Sequence, residues 1–557
     1  MKQYPTSSEV DFVVIGSGAG GGIMAKQLST AGFSVVVLEQ GGWGKYGREH
    51  EYNKDEWLNL NLSDDDRLMS DPSRQRNTFR RSDKDKAVPG THSYGCVVGG
   101  GTVTYGSSSW RHLPYEFNEA SYDQTIPSGT GMADWPVTYD ELEPYYTQAE
   151  WEMGISGLRV NSPFLAPMTK DYPVPPVPLK SSGALLNSAA AKLGLTSVPG
   201  PLAIITKPYM GREACVNCGI CSGYGCQVRA RSSSAVTMLP LAEKTGRCEI
   251  RVKSYVREIS TDNAGRVTGV IYFDAQKREV RQKAKAVILS ANAGESARLL
   301  LMSKSARFPN GLANSNGVVG KYAMFGNGAG ASALFEHPLN EYKGVISGAA
   351  IVDYVPSDPK RGFYGGGRMT ARGYLTPFEL GLGGLSPDAP RWGAGYKKAL
   401  QEEANHRMTI SCFVTQMPLE TNRVDLDPDV KDEWGLPAMR ITLSSHPDDK
   451  KNMEFFRQKS VEVLEAAGAK KVWAQPVGDS RGGAHNRGTC RMGNDPKTSV
   501  VDKYHKAHDV PNLFIVDGSN FVTGGRNHPT LTIQALAFRA SEHIIQSAKK
   551  GTLRTAL

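Results

Sequence analysis

The chain has 557 residues, more than one ordinary hydrophobic core accommodates, so we expect about two to four domains' worth of structure. Hydrophobic residues at 39% and charged residues at 22% exclude a mainly disordered chain. The net charge of +9 is spread along the sequence, which indicates solubility rather than a nucleic-acid-binding surface. No apolar stretch approaches the roughly 18 to 20 residues that a membrane-spanning helix needs.

The N-terminal segment predicts a βαβ unit that binds a dinucleotide. Its parts are a buried strand at 12–15, a turn with Gly16, Gly18 and Gly21, a helix at 23–30, a strand at 34–38 and then Glu39. Small residues in the turn let a pyrophosphate reach the helix N-terminus, and the acid accepts hydrogen bonds from ribose hydroxyls. An acid at this position disfavours a 2'-phosphate and therefore NADP. The alternative is an ordinary turn that binds no ligand.

The next part of the chain predicts surface excursions and one helix. The polar stretch at about 46–90 is typical of a lid. Apolar residues have helical spacing at 141–153, and a Pro-rich connector at 172–179 leads to a cysteine loop at about 212–230.

Alternation of apolar and polar residues at 249–287 predicts an antiparallel meander that ends in a buried strand at 286–289, followed by a helix at 295–302. Short strand signals and glycine turns at about 320–475 indicate a separate sheet-based domain. A buried strand at 512–516 precedes Asp517 and Gly518, and a helix at 531–548 closes the pattern. The fingerprint alone fits NAD or FAD. This remote strand favours FAD, because a flavin needs further contacts that NAD does not.

Several motifs in order resemble the glucose-methanol-choline (GMC) family of FAD oxidoreductases, over nearly the whole chain. Besides the fingerprint they are Val98-Gly-Gly-Gly-Thr102, Trp135-Pro-Val-Thr-Tyr139, His485-Asn-Arg-Gly-Thr-Cys-Arg-Met-Gly493, Ser499-Val-Val-Asp502, Asn512 to Gly518 and His528-Pro-Thr-Leu-Thr532. The cysteine loop is similar to that of the gluconate- and sugar-dehydrogenase branch. The resemblance implies a mixed α/β and α+β fold. A Rossmann-type FAD-binding domain from non-contiguous segments, 1–320 and 476–557, accompanies a substrate domain with an antiparallel sheet at 321–475.

The resemblance also implies how FAD is held. Some family members bond the flavin covalently to a histidine, and the aligned residue here is Thr104, so we expect non-covalent FAD. Gly99, Gly100 and Gly101 are expected to pass close to the isoalloxazine ring. The further cofactor contacts implied by the resemblance are Val256, Asp517, Gly518 and Asn527.

Two of the eleven histidines stand at the places from which the family draws its active-site pair, His485 and His528. Oxidation of an alcohol needs a hydride acceptor and a group that removes the hydroxyl proton, and imidazole suits the second task. We interpret His485 as the base and His528 as its hydrogen-bonding partner. Asn527 is an alternative for the second residue, and a purely structural role for both histidines is the alternative to catalysis.

Four of the eight cysteines, Cys215, Cys218, Cys221 and Cys226, lie within one short loop. The spacing C-x2-C-x2-C-x4-C favours an iron–sulfur cluster, although the last interval and the lack of a following proline depart from the ferredoxin pattern. Zinc is the weaker metal interpretation, and disulfides or free thiols remain open. The resemblance implies a three-iron cluster, [3Fe-4S], which needs only three of the four thiolates.

Together these features predict an FAD-dependent dehydrogenase that oxidises a hydroxyl of a sugar, polyol or related alcohol and passes electrons to a redox partner. An alcohol oxidase using O₂ and a catalytically silent FAD-binding assembly subunit are the alternatives. The N-terminal residues lack an apolar signal core. We therefore expect either a cytoplasmic enzyme or a protein exported with a partner. The resemblance to multi-subunit periplasmic dehydrogenases implies that the partner is a small escort subunit, that the protein is periplasmic and that it docks a cytochrome.

Overall fold

The computed structural model describes residues 2–43, 68–219, 221–345, 348–373, 380–480 and 482–553. Its strands are β1 Val10–Ile15, β2 Val35–Leu38, β3 Asn77–Arg80, β4 Val88–Pro89, β5 Ser197–Pro199, β6 Cys248–Arg251, β7 Tyr255–Thr261, β8 Val267–Phe273, β9 Glu279–Leu289, β10 Asn327–Leu334, β11 Ala349–Ile351, β12 Gly367–Arg372, β13 Arg407–Val414, β14 Arg423–Lys431, β15 Pro437–Thr442, β16 Lys471–Ala474 and β17 Leu513–Ile515.

The helices are α1 Ala19–Thr30, α2 Glu119–Tyr122, α3 Tyr139–Met153, α4 Ser181–Leu193, α5 Leu239–Lys244, α6 Ala293–Met302, α7 Gly393–Glu403, α8 Pro447–Ala466 and α9 Thr530–Lys549. Short 3-10 turns occur at Gly100–Val103, Pro114–Phe117, Pro359–Arg361 and Gly518–Asn520, and a π turn at Leu380–Gly384. In the part of the chain that the structure describes, no helix is long and apolar enough to cross a membrane.

The first sheet has seven strands in the order β6-β2-β1-β9-β8-β7, with β17 also paired to β9. The long strand β9 joins two kinds of pairing. Its first half runs antiparallel to β8, and its second half runs parallel to β1 and β17. Strand β2 is apolar throughout and all four of its residues are buried, as expected for a parallel strand covered on both faces. This arrangement brings the carboxyl ends of β1, β2, β9 and β17 to one edge.

The second sheet has six strands in the order β16-β10-β13-β12-β11-β5, all antiparallel. Helices α4 and α8 pack on it through a separate apolar cluster that includes Leu186, Met453 and Phe456. A third, four-stranded sheet has the order β14-β15-β3-β4. Through it, residues 77–89 pair with residues 423–442.

The predicted fold class is confirmed, since a βαβ unit opens the chain and an antiparallel sheet lies in the later part. The pairing Val13↔Val36 is parallel, as the βαβ prediction requires. The meander prediction holds for β7, β8 and β9, whereas β6 instead pairs parallel with β2 at the edge of the first sheet. Of the predicted lid, residues 46–67 lie outside the described residues, and the rest contributes β3 and β4 to the third sheet.

Candidate active site

A cavity of about 770 Å³ lies at the carboxyl ends of β1, β2, β9 and β17, with residues of β10, β12 and β13 on its other side. Ligands of parallel α/β sheets bind at this edge. Of the residues that the sequence predicted for the site, ten line the cavity: Gly16, Gly18, Glu39, Gly100, Gly101, Val256, His485, Asp517, Gly518 and His528.

The turn between β1 and α1 is built around close backbone approach. Gly16 has φ +94°, and a Cβ there would lie 2.3 Å from the Ser290 carbonyl oxygen. Gly18 precedes α1 without a side-chain cap, and the first turn of that helix carries no acid. The N-H groups at the start of α1 therefore remain available to an anion. Gly21 packs directly against the turn, since a Cβ there would lie 2.0 Å from the Gly16 carbonyl oxygen.

Glu39 directly follows β2 and is nearly fully buried. Its Oε2 accepts hydrogen bonds from Ser17 N at 3.1 Å and Ser17 Oγ at 2.6 Å, and its Oε1 accepts from Gly41 N at 3.0 Å. Burial raises the pKa of this carboxyl group, while the hydrogen bonds oppose the rise. Ser17 Oγ also accepts from Gly99 N at 2.9 Å. Ser17 thus joins the two glycine segments, a role that the fingerprint does not reveal because its position is variable.

The second glycine segment contacts the first. A Cβ on Gly100 would lie 3.0 Å from Gly18 Cα, whereas one on Gly101 would meet no atom within 4 Å. Gly99 has φ +100° and packs against Val103 and Ala235 rather than lining the cavity. Thr104, the residue aligned with the flavin-linked histidine of other proteins, does line it.

Of the remaining predicted contacts, Asp517 and Gly518 line the cavity and Asn527 does not. Asp517 follows β17, and its carboxylate accepts hydrogen bonds from Ser296 Oγ at 2.6 Å and Ser519 N at 2.8 Å; burial raises its pKa. Gly518 packs against the backbone of Asn486, whose carbonyl oxygen would be 2.4 Å from a Cβ added at position 518. Asn527 is buried outside the cavity lining and donates from Nδ2 to the Arg111 carbonyl at 2.8 Å.

These residues fit a dinucleotide cofactor. An uncapped helix N-terminus opens into the cavity between two glycine segments, and a buried acid stands at the end of the second strand. The cavity volume lies within the usual range for cofactor sites of roughly 300 to 1,000 Å³. The helix N-terminus suits the pyrophosphate and the acid suits the adjoining ribose, so both parts of the nucleotide have a suitable partner.

His485 and His528 meet at the far side of the same cavity. Their ring centroids are 4.8 Å apart with the planes at 81°, and Phe413 contacts both, at 5.0 and 4.8 Å. Burial, reinforced by the charge of Arg487, lowers the pKa of His485 to about 3. Burial and the neighbouring His485 lower the pKa of His528 as well. Both imidazoles are therefore neutral at physiological pH, the form in which a ring nitrogen can accept a proton.

A buried ion pair holds the loop that carries His528. Arg526 is fully buried, and its guanidinium donates to both carboxylate oxygens of Glu119, at 2.9 and 2.6 Å. Its backbone N-H donates to Glu116 Oε1 at 2.7 Å. Because Arg526 and Glu119 are some 400 residues apart in sequence, the local pattern of neither segment predicts the contact.

The cysteine loop lies against the cavity wall. Ser222 and Gly223 line the cavity, and Gly223 N donates to the Thr104 carbonyl at 2.7 Å. Cys221 packs with Cys215 on a small apolar cluster, and burial raises the pKa of the Cys221 thiol to about 11.

The ligand set predicted for a cluster is not supported by this arrangement. Cys215, Cys221 and Cys226 are free thiols, and Cys218 is exposed. Within the ranges that the structure covers, no group of three or more His, Cys, Asp or Glu side chains is placed to hold a metal ion.

The chain matches the two family models that describe GMC oxidoreductases, the N-terminal one over residues 90–321 and the C-terminal one over residues 418–537. It is 35% identical to 2-methyl-1,2-propanediol dehydrogenase of Mycolicibacterium austroafricanum, over 97% of this chain and 96% of that protein. It is 31% identical to the gluconate 2-dehydrogenase flavoprotein of Pantoea cypripedii, over 98% and 94%. A solved structure of formate oxidase superposes with a TM-score of 0.69 at 16% identity, covering 99% of this chain and 100% of that one.

The chain therefore belongs to the GMC oxidoreductase family. It is an FAD oxidoreductase of alcohol- or sugar-type substrates, and the family supports FAD as the nucleotide for which the cavity is built.

The glycine turn can be tested with a matched pair of variants. Gly16→Ala places a Cβ against the Ser290 carbonyl, so we expect protein that retains little FAD. Gly32 has a similar φ of +101° with no atom within 4 Å of a Cβ, so Gly32→Ala carries the same backbone strain of about 1–2 kcal/mol without the clash. Flavin absorbance per chain measures the result. Full FAD occupancy in Gly16→Ala would contradict the assigned role of the turn.

Proposed function

We propose that this GMC oxidoreductase is an FAD-dependent dehydrogenase that oxidises a hydroxyl of a sugar, polyol or related alcohol to a carbonyl. The observation that carries the proposal is the pair of neutral imidazoles, His485 and His528. Their ring centroids lie 4.8 Å apart in the same cavity that the glycine turn between β1 and α1 lines. Acceptance of a hydroxyl proton next to a cofactor site is what alcohol oxidation requires of the protein.

The cofactor residues receive the following roles in this proposal. The turn of Gly16, Gly18 and Gly21 holds the pyrophosphate at the start of α1, and Glu39 accepts from the ribose hydroxyls. The remaining predicted residues contact the flavin half, directly or from behind the cavity wall: Gly99, Gly100, Gly101, Val256, Asp517, Gly518 and Asn527. FAD is held without a covalent bond, because the Thr104 side chain cannot form a histidyl link.

FAD, when bound, supplies the hydride acceptor, flavin N5. The protein supplies the proton acceptor and the orientation of the alcohol. A ring nitrogen of His485 takes the hydroxyl proton, while His528, held at right angles to it, hydrogen-bonds the same oxygen. Burial and Arg487 keep His485 unprotonated, so the base is ready whenever substrate arrives. Phe413 fixes the spacing of the two rings by contacting both.

The division of the chain into domains follows from these roles. We assign 1–320 and 476–557 to the FAD-binding domain, because the glycine turn, Asp517 and both histidines come from these segments. Residues 321–475 form the substrate domain, whose strands β12 and β13 contribute Thr370, Ser411 and Phe413 to the opposite wall of the cavity.

We further propose that electrons leave to a protein partner rather than to O₂, and that the cysteine loop holds an iron–sulfur cluster. The spacing of the four cysteines and the contact of their loop with the cavity wall support the cluster. The thiols as arranged do not form a ready ligand group, which weighs against it. A cytochrome acceptor and a small escort subunit that directs the enzyme to the periplasm belong to this proposal. A cytoplasmic enzyme and an O₂-using oxidase are the alternatives.

The reaction class is tested by incubating the purified holoenzyme with a panel of alcohols and sugars. We expect at least one compound to bleach the flavin without oxygen and to sustain turnover with an artificial electron acceptor. In air the same compound should release little peroxide, because a dehydrogenase reacts slowly with O₂. Stoichiometric peroxide would make the oxidase alternative the correct one, and flavin that no alcohol reduces would contradict the proposed function.

The two histidines are tested by separate substitution. His485→Ala should lower turnover at least about a hundredfold with FAD retained, as expected for loss of a general base, and His528→Ala roughly tenfold or more. His543→Ala is a suitable control, since that ring stacks on Tyr504 away from the cavity and should leave turnover near the wild-type value. Near-normal turnover in His485→Ala would remove this residue from the mechanism.

Chemical analysis of one anaerobic preparation tests both cofactor proposals. We expect FAD to appear in the supernatant after acid precipitation, and at least about two irons with matching acid-labile sulfide per chain. Flavin that stays in the pellet would show a covalent link. Fewer irons would remove the cluster and leave the cysteines as structural thiols.

A further inference from the structure

The segment between β11 and β12 makes two hydrogen bonds to the ion pair that holds the His528 loop. Tyr364 is almost completely buried, and its hydroxyl donates to Glu119 Oε2 at 2.8 Å. Ser357 Oγ accepts a hydrogen bond from Arg526 Nη2, also at 2.8 Å. Both contacts run from the proposed substrate domain to the proposed FAD-binding domain. They therefore connect the two domains directly at the loop that carries one of the two cavity histidines.

Tyr364 and Arg526 share one carboxylate. Arg526 Nη1 donates to Glu119 Oε2 at 2.9 Å, the same oxygen that accepts from Tyr364, and Nη2 donates to Oε1 at 2.6 Å. The three side chains are at most 3% exposed. A bidentate pair of this kind fixes the plane of the guanidinium as well as its distance from the acid. Loss of the tyrosine hydroxyl would free the carboxylate to rotate, and the guanidinium would move with it.

The residues on either side of this arginine in the sequence are fixed as well. Gly525 has φ +59°, and a Cβ there would lie 2.4 Å from His112 Cε1. Asn527 donates from Nδ2 to the Arg111 carbonyl at 2.8 Å. Each of the three residues before His528 is thus held by a buried neighbour, so the backbone of this loop determines where the imidazole stands.

The His528 ring and the residue that contacts it are referred to the same sheet. The His528 centroid is 4.8 Å from those of Phe413 and His485. Tyr364 lies three residues before β12, which pairs with β13, the strand of Phe413. The Tyr364 N-H also donates to Asp448 Oδ2, at the start of α8, at 3.0 Å. The second sheet therefore supplies Phe413 against the ring and, through Tyr364, a contact that holds the backbone behind the ring.

We propose that Tyr364 and Ser357 are positioning residues for the oxidation of the alcohol. Acting through the ion pair of Glu119 and Arg526, they set where His528 stands relative to the substrate oxygen. This inference rests on the proposed function and names two residues that it requires. Neither hydroxyl belongs to a residue that lines the cavity, so both act through other groups rather than on the substrate. A displacement of about 1 Å at a reacting group costs up to about a hundredfold in rate, which is why such distant contacts matter.

The experiment measures the rate of flavin reduction by a saturating alcohol in holoenzyme variants that retain FAD. Tyr364→Phe removes one hydroxyl and should lower this rate about threefold to fivefold with a smaller change in KM. Tyr364→Phe combined with Ser357→Ala should approach the loss in His528→Ala, roughly tenfold. Tyr145→Phe is the matched control, because that hydroxyl also donates to a glutamate, Glu542 Oε2 at 2.5 Å, away from the cavity. Its rate should equal that of the wild type.

A double-mutant cycle separates positioning from general stability. In the His528→Ala background, Tyr364→Phe should cause no further loss of rate, because the residue that it positions is gone. An equal loss in both backgrounds, or a wild-type rate in Tyr364→Phe, would overturn the inference while the proposed function stands. Should Tyr364→Phe fail to retain FAD, Ser357→Ala takes its place in the same cycle with the same criteria.

The position of the ring is also measured without turnover. Holoenzyme labelled with ¹³C at histidine Cε1 gives one resonance per ring, and the resonance missing from His528→Ala is that of His528. Since Phe413 lies 4.8 Å away at 30°, its ring current makes this resonance sensitive to their separation. Tyr364→Phe should shift it and leave that of His543, which stacks on Tyr504, in place. Failure of every alcohol to reduce the flavin would remove the proposed function, and an unchanged His528 resonance would still overturn the inference.

Discussion

The cofactor site depends on how closely backbone segments approach at the edge of the first sheet. A Cβ on Gly16 would meet the Ser290 carbonyl at 2.3 Å, and one on Gly20 would meet the Val516 carbonyl at 2.0 Å. Three segments that are hundreds of residues apart therefore contact one another only because these positions lack side chains. The parallel pairing of β1 and β17 with β9 sets their relative height, and the helix N-terminus then opens into the cavity. The family's chemistry requires that opening.

The two arginines that neighbour the histidine pair in sequence, Arg526 and Arg487, differ in whether a carboxylate is hydrogen-bonded to them. Arg526, two residues before His528, is neutralised by Glu119 in a fully buried ion pair, an arrangement that fixes geometry but leaves little field outside it. Arg487, two residues after His485, makes no hydrogen bond to any carboxylate among the described residues, and its charge opposes protonation of that ring. One histidine is thus held in place by its neighbouring arginine, whereas burial, with the charge of Arg487 added to it, keeps the other neutral. The two imidazoles therefore differ in environment although they lie 4.8 Å apart.

Local pattern was sufficient wherever the function uses contiguous residues. The alternation of strand, glycine turn and helix predicted β1, α1 and β2 with errors of a few residues at their ends, and the apolar strand before Asp517 was found at β17. Local pattern did not predict the role of Ser17, which bridges the two glycine segments. Ser17 makes this bridge by accepting a hydrogen bond from Gly99, a residue distant in sequence. The pairing of residues 77–89 with 423–442 was missed for the same reason. Spacing gave the cysteines as one group, yet it carries no information on where each thiol points.

The cysteine loop and the cofactor cavity share one wall, which limits how independently they can act. Arg231 donates to the carbonyl groups of Cys221 and Tyr224 within the loop and to those of Val103 and Tyr105 beside the cavity. A single guanidinium therefore ties the loop to the segment that follows the second glycine turn. Any rearrangement that brings the thiols into a ligand set would move these carbonyls too. The arrangement of the thiols and the shape of the cavity are consequently coupled.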